Sequence, residues 1–184
     1  MANLRTFISL ALVFITIIAC TVSYTPENPG TGGSGGSNGG AAGNLPSGAD
    51  EYGTVVDVID GDTIDVNIDG QVRRVRYVGV NTPERDEACY GDATNANRAL
   101  VDGRQVALFR DESNTDRYER LLRNVYTSDG FVNERLVRDG YAEVVLYPPD
   151  DGNFERFRQL EQEAARANLN CHATGIFNDG RYDR

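Results

Sequence analysis

Three short segments contain the main candidate catalytic and ligand-binding residues of this chain: Asp60–Thr63 (DGDT), Arg76–Glu84 (RYVGVNTPE) and Asp116–Arg120 (DRYER). They combine hard oxygen donors, one carboxylate that stands apart from the others, and arginines on two separate segments. Guanidinium groups bind phosphate oxygens through paired hydrogen bonds, and hard oxygen donors bind calcium or magnesium. This set is suited to holding a phosphodiester, neutralising the charge that develops on it, and delivering water to phosphorus.

Asp62, Asn81 and Thr82 form a candidate metal site. If the chain between them folds back as a hairpin, a carboxylate, a side-chain amide oxygen and a main-chain carbonyl could face one point. Water and phosphate would complete the shell. Such oxygen donors favour calcium and, less readily, magnesium. Taken alone, Asp60–Asp62 is more typical of an ordinary turn, and the two other segments are what favour the metal site.

Arg76 and Arg120 are candidates for binding the transferring phosphate, because positioned guanidinium groups stabilise charge that gathers on its oxygens in the transition state. Glu84 follows Pro83, where it could reach a metal-bound region without touching the metal. Without the surrounding motifs, Glu84 would be a solvent-exposed loop residue and Arg120 a surface ion-pair partner. His172 is the only histidine, and no nucleophilic serine or cysteine site is recognisable, so direct attack by water is expected.

In order and spacing, the three segments resemble the staphylococcal nuclease (thermonuclease) family, over a region from about Tyr52 to about Leu169. The resemblance implies a calcium-dependent enzyme that hydrolyses DNA and RNA with little sequence preference. It also implies cleavage of the bond to the 5′ oxygen, which leaves 3′-phosphate ends. We expect single-stranded substrates to be preferred and the protein to be a monomer.

The resemblance assigns three roles to individual residues. Catalysis falls to Arg76, Glu84 and Arg120, with Glu84 positioning or deprotonating the attacking water. The metal ligands are Asp62, Asn81 and the main-chain oxygen of Thr82. The substrate-binding candidates are Arg117, Tyr118 and Tyr147. Each tyrosine could stack on a base or bond a phosphate, and each could equally be an ordinary residue at the edge of the core.

Two positions depart from the family pattern. Asn81 replaces an aspartate, which removes one negative charge and predicts weaker cation binding. Glu119 replaces a glycine in the third segment. The Asn81 departure keeps open a non-catalytic nucleic-acid-binding module with the same barrel, and a surface calcium-binding or adhesion protein is a further alternative. The joint presence of the catalytic candidates argues for the enzyme.

The strands and helices that carry these residues are predicted from the hydrophobic pattern. Strands are predicted from β-branched runs, and an Asp69-Gly70 pair between two of them is a strong hairpin signal. Helices are predicted from apolar residues at helical spacing. The strands are Val55–Ile59, Thr63–Ile68, Val72–Val80, the region of Val106 and Leu108, and Leu122–Tyr126; the helices are Ala93–Val101, Val132–Arg138 and Phe154–Leu169. Five short strands with about three helices predict an α+β fold, a small OB-type barrel.

The first fifty residues do not resemble the domain that follows. Phe7–Ala19 is an apolar run after Arg5, too short to span a bilayer as a mature helix, and it ends at a lipobox-like sequence before Cys20. We expect residues 1–20 to direct export, with lipidation at Cys20; an ordinary signal peptide is the alternative. Residues 21–50 are rich in Gly and Ser and predict a flexible tether, so residues 51–184 form the expected domain. The protein would lie outside the cell, surface-anchored or free.

The net charge is −10, and all 18 basic residues are Arg. This composition resembles proteins of salt-loving archaea, although a GC-rich genome would also favour Arg over Lys. The acidic balance does not exclude nucleic acid as a partner, because molar salt shortens the Debye length to about 3 Å.

Cys89 and Cys171 predict a disulfide in an exported chain. Two free thiols, and a zinc site with His172, are the alternatives.

Overall fold

The computed structural model describes residues 44–180 and 182, within a compact unit that spans Gly39–Arg184. The predicted export segment, the lipidation site at Cys20 and most of the predicted tether lie outside the described residues. Among those that are described, no helix is long and apolar enough to cross a membrane.

Within the described residues, the domain consists of eight strands, three α-helices and one 3₁₀ helix. The strands are β1 (Glu51–Val58), β2 (Thr63–Ile68), β3 (Gln71–Tyr77), β4 (Val80–Asn81), β5 (Gln105–Phe109), β6 (Leu121–Thr127), β7 (Gly130–Phe131) and β8 (Glu143–Val144). The helices are α1 (Tyr90–Val101), α2 (Val132–Arg138) and α3 (Phe154–Arg166), followed by the 3₁₀ helix Asn170–Thr174.

The main sheet closes into a barrel. Its strand order is β3-β2-β1-β5-β6-β7, and the parallel pairing of β3 with β6 joins the two sides. The barrel therefore consists of five strands (β1, β2, β3, β5 and β6), which confirms the predicted OB-type α+β fold. β4 and β8 form a separate two-stranded sheet beside it.

The β2–β3 connection is the predicted two-residue hairpin. Asp69 and Gly70 have φ angles of 50° and 86°, and both central positions of this turn type require positive φ. Along β3, Val75 and Tyr77 are buried, whereas Arg74 lies on the opposite, exposed face. Because successive side chains of a strand point to opposite faces, Arg76 lies on the same face as Arg74, away from the barrel core.

Element ends differ from the predictions where the chain turns sharply. The predicted third strand runs to Val80, but β3 ends at Tyr77 because Gly79 takes a left-handed conformation with φ 74°. The chain then resumes as the short strand β4. The predicted third helix runs to Leu169, but α3 ends at Arg166, and Asn168 follows with a positive φ of 52°.

The core fills the barrel and continues under the helices. Barrel residues such as Ile64, Val66, Val75 and Leu108 form one buried cluster with Leu136 of α2 and Phe157 of α3. Asn133 of α2 is fully buried, accepts the N–H of Val125, and donates to the carbonyl oxygens of Val78 and Arg123. This side chain ties α2 to the chain immediately after β3, where the first and second motifs meet.

A disulfide joins Cys89, just before α1, to Cys171 in the 3₁₀ helix, 82 residues later. The pairing excludes the alternatives of two free thiols and of a zinc site built on them. In the chain-entropy model, closing a loop of this length stabilises a fold by about 4–5 kcal/mol.

Candidate active site

A cleft of about 440 Å³ brings the three motifs together. The lining of this cleft includes seven residues that were predicted to form the site: Asp62, Arg76, Asn81, Glu84, Arg117, Arg120 and Tyr147. Asp60, Thr63 and Glu87 complete the lining. Of the remaining predicted site residues, Thr82 binds Asp62 directly, and Tyr118 lines an adjoining cavity.

Asp62 is the buried acid that holds the first two motifs against each other. Its Oδ2 accepts hydrogen bonds from the main-chain N–H and the Oγ1 of Thr82, at 2.8 and 2.9 Å. Its Oδ1 accepts from Thr63 Oγ1 at 3.1 Å and lies 3.0 Å from Nε of Arg76. The side chain is only 7% exposed. The expected meeting of Asp62 with the Asn81-Thr82 segment is thus present in the fold.

Asn97 of α1 fixes the first motif from behind, and nothing in the motifs pointed to it. It is fully buried, accepts the hydroxyl of Tyr77 at 2.8 Å, and donates to the main-chain oxygen of Asp60 at 2.9 Å. One helical side chain therefore sets the distance between the DGDT turn and the end of β3.

Arg76 is held in a fixed direction at the centre of the cleft. Nη1 donates to the carbonyl oxygens of Tyr77 and Val80 at 2.8 and 2.7 Å, and Nη2 donates to Oδ1 of Asn81 at 3.1 Å. Together with the Asp62 ion pair, these bonds orient the guanidinium of a side chain that is 14% exposed. Such preorganisation is what a group that stabilises a transition state requires.

Asn81 has a partner at each end of its side-chain amide. Besides accepting from Arg76, it donates from Nδ2 to Oε1 of Glu143 at 2.9 Å. Glu143 belongs to β8 and is 1% exposed. Sequence reasoning missed this residue, and the available signal was an acid inside the apolar run Ala142–Val145. Whether Asn81 also serves as a metal ligand stays a prediction.

Arg120 is oriented by Asp116 in the same motif. Its Nε donates to Oδ2 of Asp116 at 2.6 Å, and Oδ1 of Asp116 accepts the main-chain N–H groups of Tyr118 and Arg120. Burial alone would raise the pKa of Asp116, but these hydrogen bonds outweigh it and lower the pKa. Asp116 is therefore a stable anion that holds Arg120 at the rim of the cleft. Glu119, between them, has a left-handed backbone with φ 64°.

The cleft also concentrates carboxylates. Burial, followed by the neighbouring charge of Asp62, raises the pKa of Asp60 to about 6. Glu84 is exposed, as a residue that acts on water would need to be, and its N–H donates to Oε2 of Glu87 at 2.8 Å. The role of Asp60 was not predicted, although it stands in the same DGDT turn.

Tyr118 and Tyr147 line a second, less polar cavity of about 510 Å³ that shares the arginines of the cleft. Their side chains are 63% and 49% exposed, so both differ from ordinary core tyrosines. The guanidinium carbons of Arg117 and Arg120 lie 4.8 and 5.5 Å from the centre of the Tyr118 ring. A flat ring beside two cations can receive a base on its face and a phosphate at its edge.

The donor set is of the kind that a hard divalent cation binds. Carboxylates of Asp60, Asp62, Glu84 and Glu87 share the cleft, and carboxylate oxygens are the ligands that calcium and magnesium prefer. No three acidic, histidine or cysteine side chains within residues 44–180 and 182 are arranged as a complete cation site. Main-chain, amide, water and phosphate oxygens would have to supply the other ligands.

The fold and cleft define a class: an OB-type barrel whose side holds oxygen donors next to two positioned arginines, suited to an anionic ligand that carries phosphate. Residues 74–173 match the family described as staphylococcal nuclease homologue. The chain is 37% identical to a thermonuclease of Staphylococcus intermedius over 119 residues, which cover 61% of this chain and 71% of that protein. It is 40% identical over 114 residues to endonuclease YncB of Bacillus subtilis, covering 58% of this chain and 54% of that one. The chain belongs to the staphylococcal nuclease family, and nuclease activity is the general function that this membership supports.

Proposed function

We propose that the protein is a calcium-dependent nuclease that cleaves DNA and RNA at the bond to the 5′ oxygen and leaves 3′-phosphate ends. The observation that carries the proposal is the convergence of Arg76, Glu84 and Arg120 on one cleft beside Asp62. These side chains come from two separate motifs, and a mere surface distribution of charge would not bring them together.

Arg76 and Arg120 bind the phosphate that is attacked. Each is held by a carboxylate, Arg76 by Asp62 and Arg120 by Asp116, so neither has to be ordered when charge develops on the phosphate oxygens. Loss of one such positioned donor lowers kcat by about 10²- to 10³-fold in other enzymes. This mechanism uses the arginines as fixed charges and leaves proton transfer to another group.

Glu84 orients the attacking water or accepts its proton. It is exposed at the cleft and carries no ion pair among the described residues, so one of its oxygens is free to accept from water. Asp62 and the carbonyl of Thr82 would hold calcium, with Asn81 as the further ligand that the resemblance implies. When bound, calcium supplies positive charge to the phosphate and polarises it.

The substrate is single-stranded nucleic acid. Exposed Tyr118 and Tyr147 can stack on bases only if those bases are not already paired and stacked in a duplex. Arg117 lies between the cavity of these tyrosines and the cleft, and it lines both. We place it on the neighbouring phosphate of the strand.

The test measures cleavage and end chemistry together. Purified protein is incubated with denatured DNA and with RNA in calcium, in magnesium and in chelator, with E84Q as the control for contaminating nucleases. We expect calcium-dependent shortening and products whose 3′ ends become extendable only after phosphatase treatment. Binding without cleavage would support the non-catalytic module. Calcium binding without any affinity for nucleic acid would support the adhesion alternative.

We further propose that the domain of residues 51–184 works outside the cell as a monomer, tethered by residues 21–50 to a lipid on Cys20, in a salty environment. The disulfide between Cys89 and Cys171 supports an oxidising compartment. The Arg-only basic residues and the net charge of −10 support high salt. C20S should release the protein from the membrane fraction into the medium. Equal membrane retention of C20S and wild type would refute the lipid anchor.

A further inference from the structure

Glu143 on β8 is a buried carboxylate next to the cleft that belongs to none of the three motifs. It is 1% exposed and is the register partner of Asn81 in the β4–β8 pair. Its Oε1 accepts the hydrogen bond from Nδ2 of Asn81 at 2.9 Å. Oδ1 of the same amide accepts from Nη2 of Arg76 at 3.1 Å. A continuous chain of hydrogen bonds therefore runs from Glu143 to Arg76.

The chemistry of the two partners fixes the orientation of the Asn81 amide. A guanidinium only donates hydrogen bonds, and an ionised carboxylate only accepts them. A flipped amide would place its NH₂ group against Arg76 and its oxygen against Glu143, which would lose both bonds. Glu143 and Arg76 together therefore hold the amide with its oxygen facing Arg76.

We infer that Glu143 is a positioning residue for Arg76 and acts through Asn81. The inference rests on the proposed function only in that Arg76 binds the reacting phosphate. Among the described residues, the Arg76 guanidinium contacts the side chains of Asp62 and Asn81. It also donates hydrogen bonds to the main-chain carbonyls of Tyr77 and Val80. Without the acceptor on Glu143, the amide can rotate and one of these two side-chain contacts is lost.

The same contact explains why an amide occupies position 81. A carboxylate there would face the buried carboxylate of Glu143 at hydrogen-bond distance. Two like charges so close cannot both ionise without a large penalty. Asn81 and Glu143 are therefore matched to each other, and the Asn81 amide links Glu143 to Arg76 in this chain.

A double-mutant cycle tests the match. N81D creates the pair of facing carboxylates and should lower kcat at least about tenfold, because Arg76 loses its direction. E143Q keeps an oxygen that accepts from Asn81 and should stay close to wild type. The double variant N81D/E143Q restores a donor opposite an acceptor, since the introduced amide can donate to the introduced carboxylate, and it should recover most of the lost activity. If the two substitutions are merely additive, the inference is wrong.

E143A and E161A provide the matched control. Glu161 of α3 is also a buried acid that binds β8, but its carboxylate accepts the N–H of Val144, at 3.0 Å, and not the amide of Asn81. We expect E143A to lower kcat at least about tenfold with KM little changed, and E161A to lower stability without that effect. If both lower kcat in proportion to their loss of stability, Glu143 has only a structural role and the inference is overturned.

A readout independent of catalysis separates this inference from the proposed function. Rotation of the Arg76 guanidinium about its Nε–Cζ bond can be followed by NMR in the full chain without metal or substrate. It should be faster in E143A and in N81D than in wild type, and restored in N81D/E143Q. Unchanged rotation in N81D would refute the link even if the protein is a nuclease. Absence of cleavage by wild type, with the rotation changes present, would refute the function and leave the link standing.

Discussion

Gly61 of the first motif packs closely against Thr82 of the second motif. The substitution G61A should therefore distort the active site. A Cβ at this position would lie 2.6 Å from Oγ1 of Thr82 and 2.7 Å from its Cβ and Cγ2. Thr82 cannot move aside easily, because it is buried and donates two hydrogen bonds to Asp62. The two segments must therefore separate by several tenths of an ångström.

The magnitude follows from these contacts. Overpacking of a closed site costs about 1–3 kcal/mol, and weakening hydrogen bonds to the charged Asp62 adds about 1 kcal/mol. For a domain of this size we expect Tm to fall by roughly 4 °C for each kcal/mol. Displacement of Asp62 and Arg76 by a fraction of an ångström should lower kcat by roughly 10-fold or more.

Thermal unfolding and cleavage of denatured DNA are measured on G61A and on the matched control G91A. Gly91 lies in the first turn of α1, where an added Cβ would have nothing within 4 Å, so alanine there should leave activity unchanged. It should raise stability by about 0.5–1 kcal/mol, as expected for glycine in a helix. If G61A has the Tm and activity of wild type, Thr82 is not packed against the DGDT turn, and our account of the site is wrong.

Four further predictions concern single residues. R120A should lower kcat by about 10²-fold or more through the loss of a positioned charge, with little change in Tm. E84Q should lower turnover while affinity for single-stranded DNA, measured by fluorescence anisotropy, persists. E119G should raise the free energy of unfolding by about 1 kcal/mol, because Glu119 has a left-handed φ of 64°. Burial lowers the pKa of His172 below its usual 6.5, so its contribution to stability is present above pH 6.5 and is lost as the pH falls.

Each of these predictions has a result that contradicts it. Near-wild-type cleavage by R120A removes that arginine from the mechanism, and loss of DNA binding in E84Q makes Glu84 a binding residue. Equal urea midpoints for E119G and wild type would show that the αL backbone is not strained. For His172, the difference in unfolding free energy between wild type and H172Q should shrink from about pH 7.5 to about pH 5, and a constant difference would refute the titration. Subtracting the variant removes the opposite contribution of Asp60, whose pKa is raised.

Much of the fold and half of the site follow from the sequence, because they depend on short-range rules. The Asp69-Gly70 hairpin is dictated by backbone conformations that few residues adopt, and the alternation along β3 places Arg76 away from the core. The helix α2 has the predicted bounds, since its apolar spacing and the glycine after it are local signals. The order of the motifs likewise predicted that Asp62, Glu84 and Arg120 belong to one site, and all three line the same cleft.

The contacts that these residues make depend, by contrast, on how the elements pack together. The strands β4 and β8 are two residues each and carry no pattern of their own, and they pair because the barrel brings together positions 62 residues apart. Glu143 in isolation is an acid in an apolar run, and its contact with Asn81 depends on that pairing. Asn97 likewise reaches Tyr77 and Asp60 only after α1 packs on the barrel. Sequence spacing specifies which side chains share one element, whereas hydrogen bonds between elements depend on packing that no local signal encodes.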